Sequence, residues 1–354
     1  MNNFPNIELI QVYGCAGLSS ISPNNQENQN EIRKLNGIEI VIKAMNNFPN
    51  KGPMQANGCL FISNICHNNN ENQNQITRLN GIEIVIKTMN NFPDNIIVQR
   101  NGILFLLDIS LYNRGNQNQI RELKGIQLII KTLNNYPNDR FINSNGCTCL
   151  YNIISDNREN QNEIIRLNGI KTVTKLMDTF SNNEIIQING CGLLTSCPFF
   201  IEKLNVIEVI IKAMNNFPNS EGVNMNGCKF FANIPLDNKE NQYKISDLNV
   251  IEIIIRSLNH FPNSDSIQRN GIIFLQFFSA ISEENQNKIS DLKGIEIILK
   301  TIANFPNDKL ILGDACNALY RITFKNQNKF KNNQITNKKR REFKFKFKFG
   351  KKNN

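Results

Sequence analysis

The chain has 354 residues, 40% of them hydrophobic, enough for a sizeable core and, in a globular protein, for two or three domains. It has no signal peptide and no long uncharged apolar run, so neither secretion nor membrane spanning is expected. The net charge of +10 invites a nucleic-acid reading, but 12 Lys and Arg and one acid lie between Lys325 and Asn354; taken from the whole-chain totals of 40 and 30, they leave 28 basic and 29 acidic residues before Lys325, so the body has no whole-protein electrostatic support for binding nucleic acid.

The first predicted element is a helix from Ile7 to about Ser22. A unit of three segments then begins. Its first segment is short, Asn30 to Leu35, with Ile32 and Leu35 spaced i, i+3 on one helical face and Asn-rich sequence before it to supply an N-cap. The second segment, Gly37 to Phe48, reads two ways. Ile38, Ile40 and Ile42 alternate as in a strand, whereas Ile38, Val41, Ile42, Met45 and Phe48 form a helical stripe. Its length and the Glu39–Lys43 pair at i, i+4 favour the helix, which Pro49 stops. The third segment, about Pro53 to Cys66, carries Met54, Gly58, Phe61, Ile62 and Ile65 on one face.

This unit recurs along the chain. One glycine column reads Gly37, Gly81, Gly125, Gly169, Val206, Val250 and Gly294, with spacings of 44, 44, 44, 37, 44 and 44. A second column, Gly14, Gly58, Gly102, Gly146, Gly190, Gly227 and Gly271, follows the same steps. Glycine inside a helix costs about 1 kcal/mol against alanine, so its recurrence in the third segment implies close helix–helix approach. Six of the nine cysteines share one repeated position, Cys15, Cys59, Cys147, Cys191, Cys228 and Cys316. In that role cysteine is a small buried hydrophobe, and the usage fits a reducing compartment.

Three helices in about 44 residues falls within the window of HEAT and armadillo arrays. The wording resembles the armadillo family. Glu71-Asn72-Gln73-Asn74-Gln75-Ile76-Thr77-Arg78-Leu79-Asn80-Gly81-Ile82 is similar to that family's first helix, glycine turn and second-helix start, and Val98 through Ile109 is similar to its third helix. The Gly-Ile-Glu…Phe-Pro flavour is closest to arrays in many protist proteins and in leucine-rich-repeat kinases. The fold expected is all-α, a right-handed α-solenoid of about seven three-helix repeats over residues 1–325, with a shortened unit near 190–206. A basic low-complexity tail, read as disordered, occupies 326–354.

The resemblance implies a concave groove lined by third helices that takes an extended peptide or a partner helix. An asparagine late in the family's third helix holds the partner's backbone. The matching column offers Asn64, Asp108, Asn152, Ser196 and Asn233 as groove contacts, and the abundance of Asn in this sequence is the competing explanation. The groove tryptophan of nuclear-import adaptors has no counterpart, because the chain has no Trp.

No catalytic residue, metal site, cofactor or small-molecule substrate is expected. His67 and His260, the only histidines, lie in different units without a repeated acid or cysteine partner, and no P-loop, H-E-x-x-H or G-x-S-x-G motif occurs. In the tail, Lys338, Lys339, Arg340 and Arg341 resemble a nuclear localisation signal that would engage nuclear-import machinery. The same charge would also suit nucleic acid or an anionic membrane. Phe343 to Phe349 alternates Phe with Lys. The sequence opens at the end of a second helix and closes on the first-helix-like Asn326 to Phe330. Such ends imply a fragment of a longer array, a self-associating chain or a degenerate product. The function expected is a protein-binding scaffold or adaptor, cytoplasmic with a nuclear alternative. Association through the tail is the runner-up, and a third reading is an adaptor for an enzyme carried on another chain.

Overall fold

The computed structural model describes residues 1–197 and 205–324, in which there are 21 α-helices and no strand. The Ile201/Leu204 pair of the shortened unit and the tail residues Lys338, Lys339, Arg340 and Arg341 lie outside the described residues. After a lone helix α1 (Glu8–Ile21), the helices come in threes: α2 (Gln26–Lys34), α3 (Gly37–Asn47) and α4 (Gly52–Cys66), then α5 (Asn70–Arg78), α6 (Gly81–Asn91) and α7 (Ile96–Ser110). Next come α8 (Arg114–Glu122), α9 (Gly125–Asn135) and α10 (Arg140–Ile154), and α11 (Arg158–Arg166), α12 (Gly169–Thr179) and α13 (Glu184–Ser196). Beyond the undescribed stretch are α14 (Val206–Asn216) and α15 (Glu221–Asn233). The last two threes are α16 (Lys239–Asp247), α17 (Val250–His260) and α18 (Asp265–Ser279), and α19 (Glu283–Asp291), α20 (Gly294–Asn304) and α21 (Lys309–Phe324). The segment that alternates isoleucines is helical throughout, so the 3.6-residue stripe prevails over the alternation.

Local chemistry sets each boundary. The first helices start one turn earlier than their apolar pair indicates, because a polar side chain caps them: Asn25 accepts from Asn28 N, Asn69 from Asn72 N, Asn113 from Asn116 N and, in the last repeat, Ser282 from Asn285 N. Each ends in a tight turn whose last residue is left-handed, at Asn36, Asn80, Lys124, Asn168, Asn249 and Lys293. Except after Asn249, where Val250 stands, a glycine follows with an ordinary backbone; its role is space. A Cβ on Gly37 would lie 2.4 Å from Ile32 Cγ2 and 2.9 Å from Ile32 O. Pro49 and its equivalents then separate second from third helices.

The connection between second and third helices is stapled by a buried amide. Gln55 Nε2 donates to the carbonyls of Met45 (2.7 Å) and Phe48 (3.0 Å), satisfying the C-terminal end of α3. Gln99 does the same for Met89 and Phe92, Gln187 for Met177 and Phe180, and Gln268 for Leu258 and Phe261.

The chain divides into two compact units, Met1–Phe230 and the part from Phe231 onward. In the first, third helices α1, α4, α7, α10 and α13 pack one against the next. Between them lie Phe61, Phe105, Ile62, Leu106 and Leu150, all fully buried, each contributing about 1.5–3 kcal/mol of transfer free energy. In the second, α18 packs on α21, and Phe274 meets Phe231 edge-on at 5.8 Å and stacks on Phe278 at 5.2 Å.

Polar side chains tie first to third helices within a repeat, and one repeat to the next. Gln29, Gln73 and Gln117 of the first helices donate to the backbone carbonyls of Asn64, Asp108 and Asn152 in the following third helix, at 2.9, 3.3 and 3.0 Å. Gln286 does the same to Arg321 in the second unit. Glu39, which the sequence pairs with Lys43 on its own helix, accepts instead from Gln75 of the next repeat, and Glu252 pairs with Lys288 at 3.1 Å.

Candidate protein-binding surface

Residues separated by four, three and four positions share one face of a helix. On the third helices of the first unit that face carries four registered columns. Nearest the helix N-termini are Leu9, Pro53, Ile97, Phe141 and Ile185. Next come Tyr13, Asn57, Asn101, Asn145 and Asn189. Then follow Ala16, Leu60, Leu104, Thr148 and Gly192, and finally Ser20 with Asn64, Asp108, Asn152 and Ser196.

The outermost column is an exposed apolar stripe. Leu9 is 64% exposed, Ile97 57%, Phe141 42% and Ile185 55%, with Pro53 also exposed among them. Arg100 lies 5.9 Å over the Phe141 ring and is held there by Asp139 at 2.6 Å. The Asp139 carboxyl sits below its ordinary range although burial opposes this, because the Arg100 hydrogen bond and charge and the Ile142 and Phe141 amides favour its ionised form.

The second column is a ladder. Asn57 donates to the carbonyl of Val12 (3.2 Å) and Asn101 to that of Ala56 (2.9 Å), each in the preceding third helix, and Asn189 donates to the hydroxyl of Thr148 (2.8 Å). The asparagines of the Asn-Gly pairs therefore help to fix the spacing of the third helices.

The sequence-based site residues occupy the fourth column, and the structure gives them different surroundings. Asn64 is half-buried and donates through Nδ2 to the Ser19 carbonyl (3.0 Å) and hydroxyl (3.1 Å). Asp108 is only 5% exposed; it accepts from Ser63 Oγ at 2.6 Å and meets His67 Nδ1 at 2.9 Å. Burial raises its carboxyl above the ordinary value, against the hydrogen bonds from Ser63 and His67. That cluster gives His67 an acidic neighbour that its sequence surroundings do not reveal. Asn152 is half-buried, and Ser196 donates to its own helix at Gly192 (2.9 Å). These four come from successive stacked helices. Asn233 is exposed on α15 and belongs to the second unit.

Burial pushes the thiols of Cys59 and Cys147 up to about 12, and those of Cys66 and Cys149, near the Asp108 charge, also upward. Such thiols are poor nucleophiles at neutral pH. Among the described residues, no group of three or more His, Cys, Asp or Glu is arranged to hold a metal, and no helix is long and apolar enough to cross a membrane.

Residues 1–198 match the family model described as Protein zer-1 homolog-like, C-terminal domain. The chain belongs to this zer-1-like family. That match spans more than half of the sequence and takes in the whole of the stack that bears the apolar stripe. No curated protein matches the zer-1-like chain. Among solved structures it resembles one described by the statement that a conserved phosphorylation switch controls the interaction between cadherin and beta-catenin, with a TM-score of 0.75 at 14% identity. The alignment covers 86% of the zer-1-like chain and 56% of the other, so this chain spans little more than half of that one's length. An engineered protein aligns at a TM-score of 0.56 and 16% identity, over 68% of this chain and 98% of its own. The likeness establishes an armadillo-like all-helical fold.

The stripe is the feature that the sequence reading missed. Its signal was available: the position five residues before each third-helix glycine reads Leu9, Pro53, Ile97, Phe141 and Ile185, an apolar column outside the stripe that builds the core.

Proposed function

We propose that this zer-1-like chain is an interaction scaffold whose third helices bind an extended peptide or a helix of a partner protein. The observation that carries the reading is the exposed stripe Leu9, Ile97, Phe141 and Ile185, running parallel to the polar column Asn64, Asp108, Asn152 and Ser196 on one face of five stacked helices. The stripe offers apolar area that is desolvated on binding, and the half-buried Asn64 and Asn152 amides would offer hydrogen bonds to a partner's backbone. The structural likeness to a chain studied for the contact between cadherin and beta-catenin is in keeping with a protein partner. Asn233 would offer a polar contact on the second unit taken by itself.

A second reading rests on the charge gathered beyond Lys325. Lys338, Lys339, Arg340 and Arg341 would recruit nuclear-import machinery, nucleic acid or an anionic membrane, and would give the chain a nuclear as well as a cytoplasmic location.

Selection from a displayed peptide library on the full chain, followed by titration of the selected peptides, tests both. On the first reading, Ile97→Asp with Ile185→Asp abolishes binding while deletion of residues 325–354 leaves it intact. Binding that survives the double substitution, vanishes with the tail and falls steeply with salt assigns the contact to the tail instead.

A further inference from the structure

Nine Asn-Gly pairs recur along the sequence, and the structure sorts them into two groups. Six of the asparagines, Asn57, Asn101, Asn145, Asn189, Asn226 and Asn270, lie inside third helices. Their side-chain amides are held. Asn57, Asn101, Asn189 and Asn226 donate to the preceding repeat, and Asn145 and Asn270 to carbonyls of their own helices. The other three, Asn36, Asn80 and Asn168, stand between first and second helices and outside both. All three are exposed, have φ of 57°, 57° and 56°, and make no side-chain cap bond; the glycine after each opens the second helix.

From this contrast we infer that Asn36, Asn80 and Asn168 are sites of spontaneous deamidation in the folded protein, and that the six helical asparagines are protected. The glycine nitrogen attacks the asparagine Cγ. The N–Cγ bond forms as Cγ–Nδ2 breaks, the glycine N–H proton passes to a solvent base, and Nδ2 gains a proton and leaves as ammonia. Water then opens the cyclic imide at either carbonyl, leaving aspartate or isoaspartate. No redox partner is needed. Glycine has no side chain to shield its nitrogen. Inside a third helix that nitrogen is committed to the carbonyl four residues back and the asparagine ψ is fixed, so the ring closes only after local opening.

The repeat supplies its own controls. Lys124 and Lys293 hold the same left-handed position and carry no amide to lose. Asn249 holds it too but precedes Val250, whose branched side chain screens the nitrogen. The products would not be silent. Either places a negative charge at the start of a second helix, where the helix dipole favours it. Isoaspartate also lengthens the backbone in a turn where Gly37 already meets Ile32 too closely to admit a Cβ, and so displaces that turn.

The test holds the full chain, native, at mildly alkaline pH, and quantifies aspartate and isoaspartate at each position by mass spectrometry of peptides, with a parallel sample in urea. Native conversion at Asn36, Asn80 and Asn168 is expected to exceed that at the helical positions by roughly tenfold or more, because the latter must open first. In urea all nine are expected to convert at comparable rates. Equal native rates in the two groups, faster conversion in the helices, or turn positions no faster than Asn249 would overturn the inference. Asn80→Lys, the residue natural at Lys124, should keep the fold and remove the Asn80 product alone; a simultaneous loss at Asn36 and Asn168 would also overturn it.

Discussion

Thr132 of α9 donates its hydroxyl to Gln99 Oε1 of α7 at 2.8 Å, while the same Gln99 amide closes on the Met89 and Phe92 carbonyls. One buried side chain thus ends a second helix and ties it to the second helix of the next repeat. Gln55 with Thr88 and Gln268 with Thr301 repeat the arrangement. Gln99→Leu leaves two carbonyls and a hydroxyl without their partner, and should cost about 1–3 kcal/mol. Thr132→Val removes one donor at nearly constant shape and should cost about 0.5–1.5 kcal/mol. Urea midpoints measure both, and a larger loss for the threonine would reverse the assignment of which side chain is the hub.

Gly102 has no room for a side chain: a Cβ there would lie 2.5 Å from Met89 Cγ and Sδ. Gly102→Leu should destabilise by about 1–3 kcal/mol through overpacking. Because the obstacle is a flexible thioether, pairing the smaller change Gly102→Ala with Met89→Ala should recover part of the loss measured for Gly102→Ala alone. Strictly additive melting shifts would mean that the two residues do not compete for the same space.

Asp108 gives a pH prediction with a definite sign. Burial raises its folded carboxyl above the ordinary 3.8, so the folded state holds its proton longer than the unfolded state does. Its contribution to stability is therefore fully present below the ordinary value, and is lost as pH rises from there through the raised one. Asp108→Asn removes this loss. Relative to the natural chain, the variant should be more favoured at neutral pH than in strong acid; the difference between the two melting profiles across the acidic range reads it directly. A difference that moves the other way would mean that the Ser63 and His67 contacts outweigh burial.

Thiol reactivity should be confined to one position. Cys316 is exposed, whereas the other eight cysteines are buried, and burial pushes Cys15, Cys59, Cys147 and Cys197 up to about 12. An aromatic disulfide reagent should label Cys316 quickly in the native protein and the remainder only on unfolding. Fast native labelling at Cys59 or Cys147 would show that the stack opens there.

The fold was legible because its signals are local and repeat in register. Glycine columns, Phe-Pro stops and the i, i+3 pair Ile32/Leu35 each have one helical interpretation once they recur. The strand-like alternation of Ile38, Ile40 and Ile42 was outweighed by Val41 and Met45, which are buried on the stripe, while Ile40 is only half-buried. The surface was less legible because its chemistry is non-local. Nothing near His67 in sequence announces Asp108, which lies 41 residues on and meets it only when α4 and α7 stack. The profusion of Asn and Gln has the same origin. Gln73, Asn69 and Asn101 look like polar filler, yet each is bound to a group in another repeat, Gln73 to the Cys66 carbonyl.

The constant reach of these side chains governs how such a molecule can change its length. In the first unit the threonine-to-glutamine link spans 33 residues at Thr88 and Thr132, the first-helix glutamine link 35 at Gln29, Gln73 and Gln117, and the third-helix asparagine link 45 at Asn57 and Asn101. A gain or loss of a few residues within a linked helix would put the amides beyond it opposite the wrong atom, whereas the shortened unit near 190–206 keeps its link, with Asn226 reaching the Ile188 carbonyl 38 residues back. Lineages of this protein should therefore grow or shrink by whole modules, with partial deletions surviving where, as between Ile188 and Asn226, the linked partners still meet.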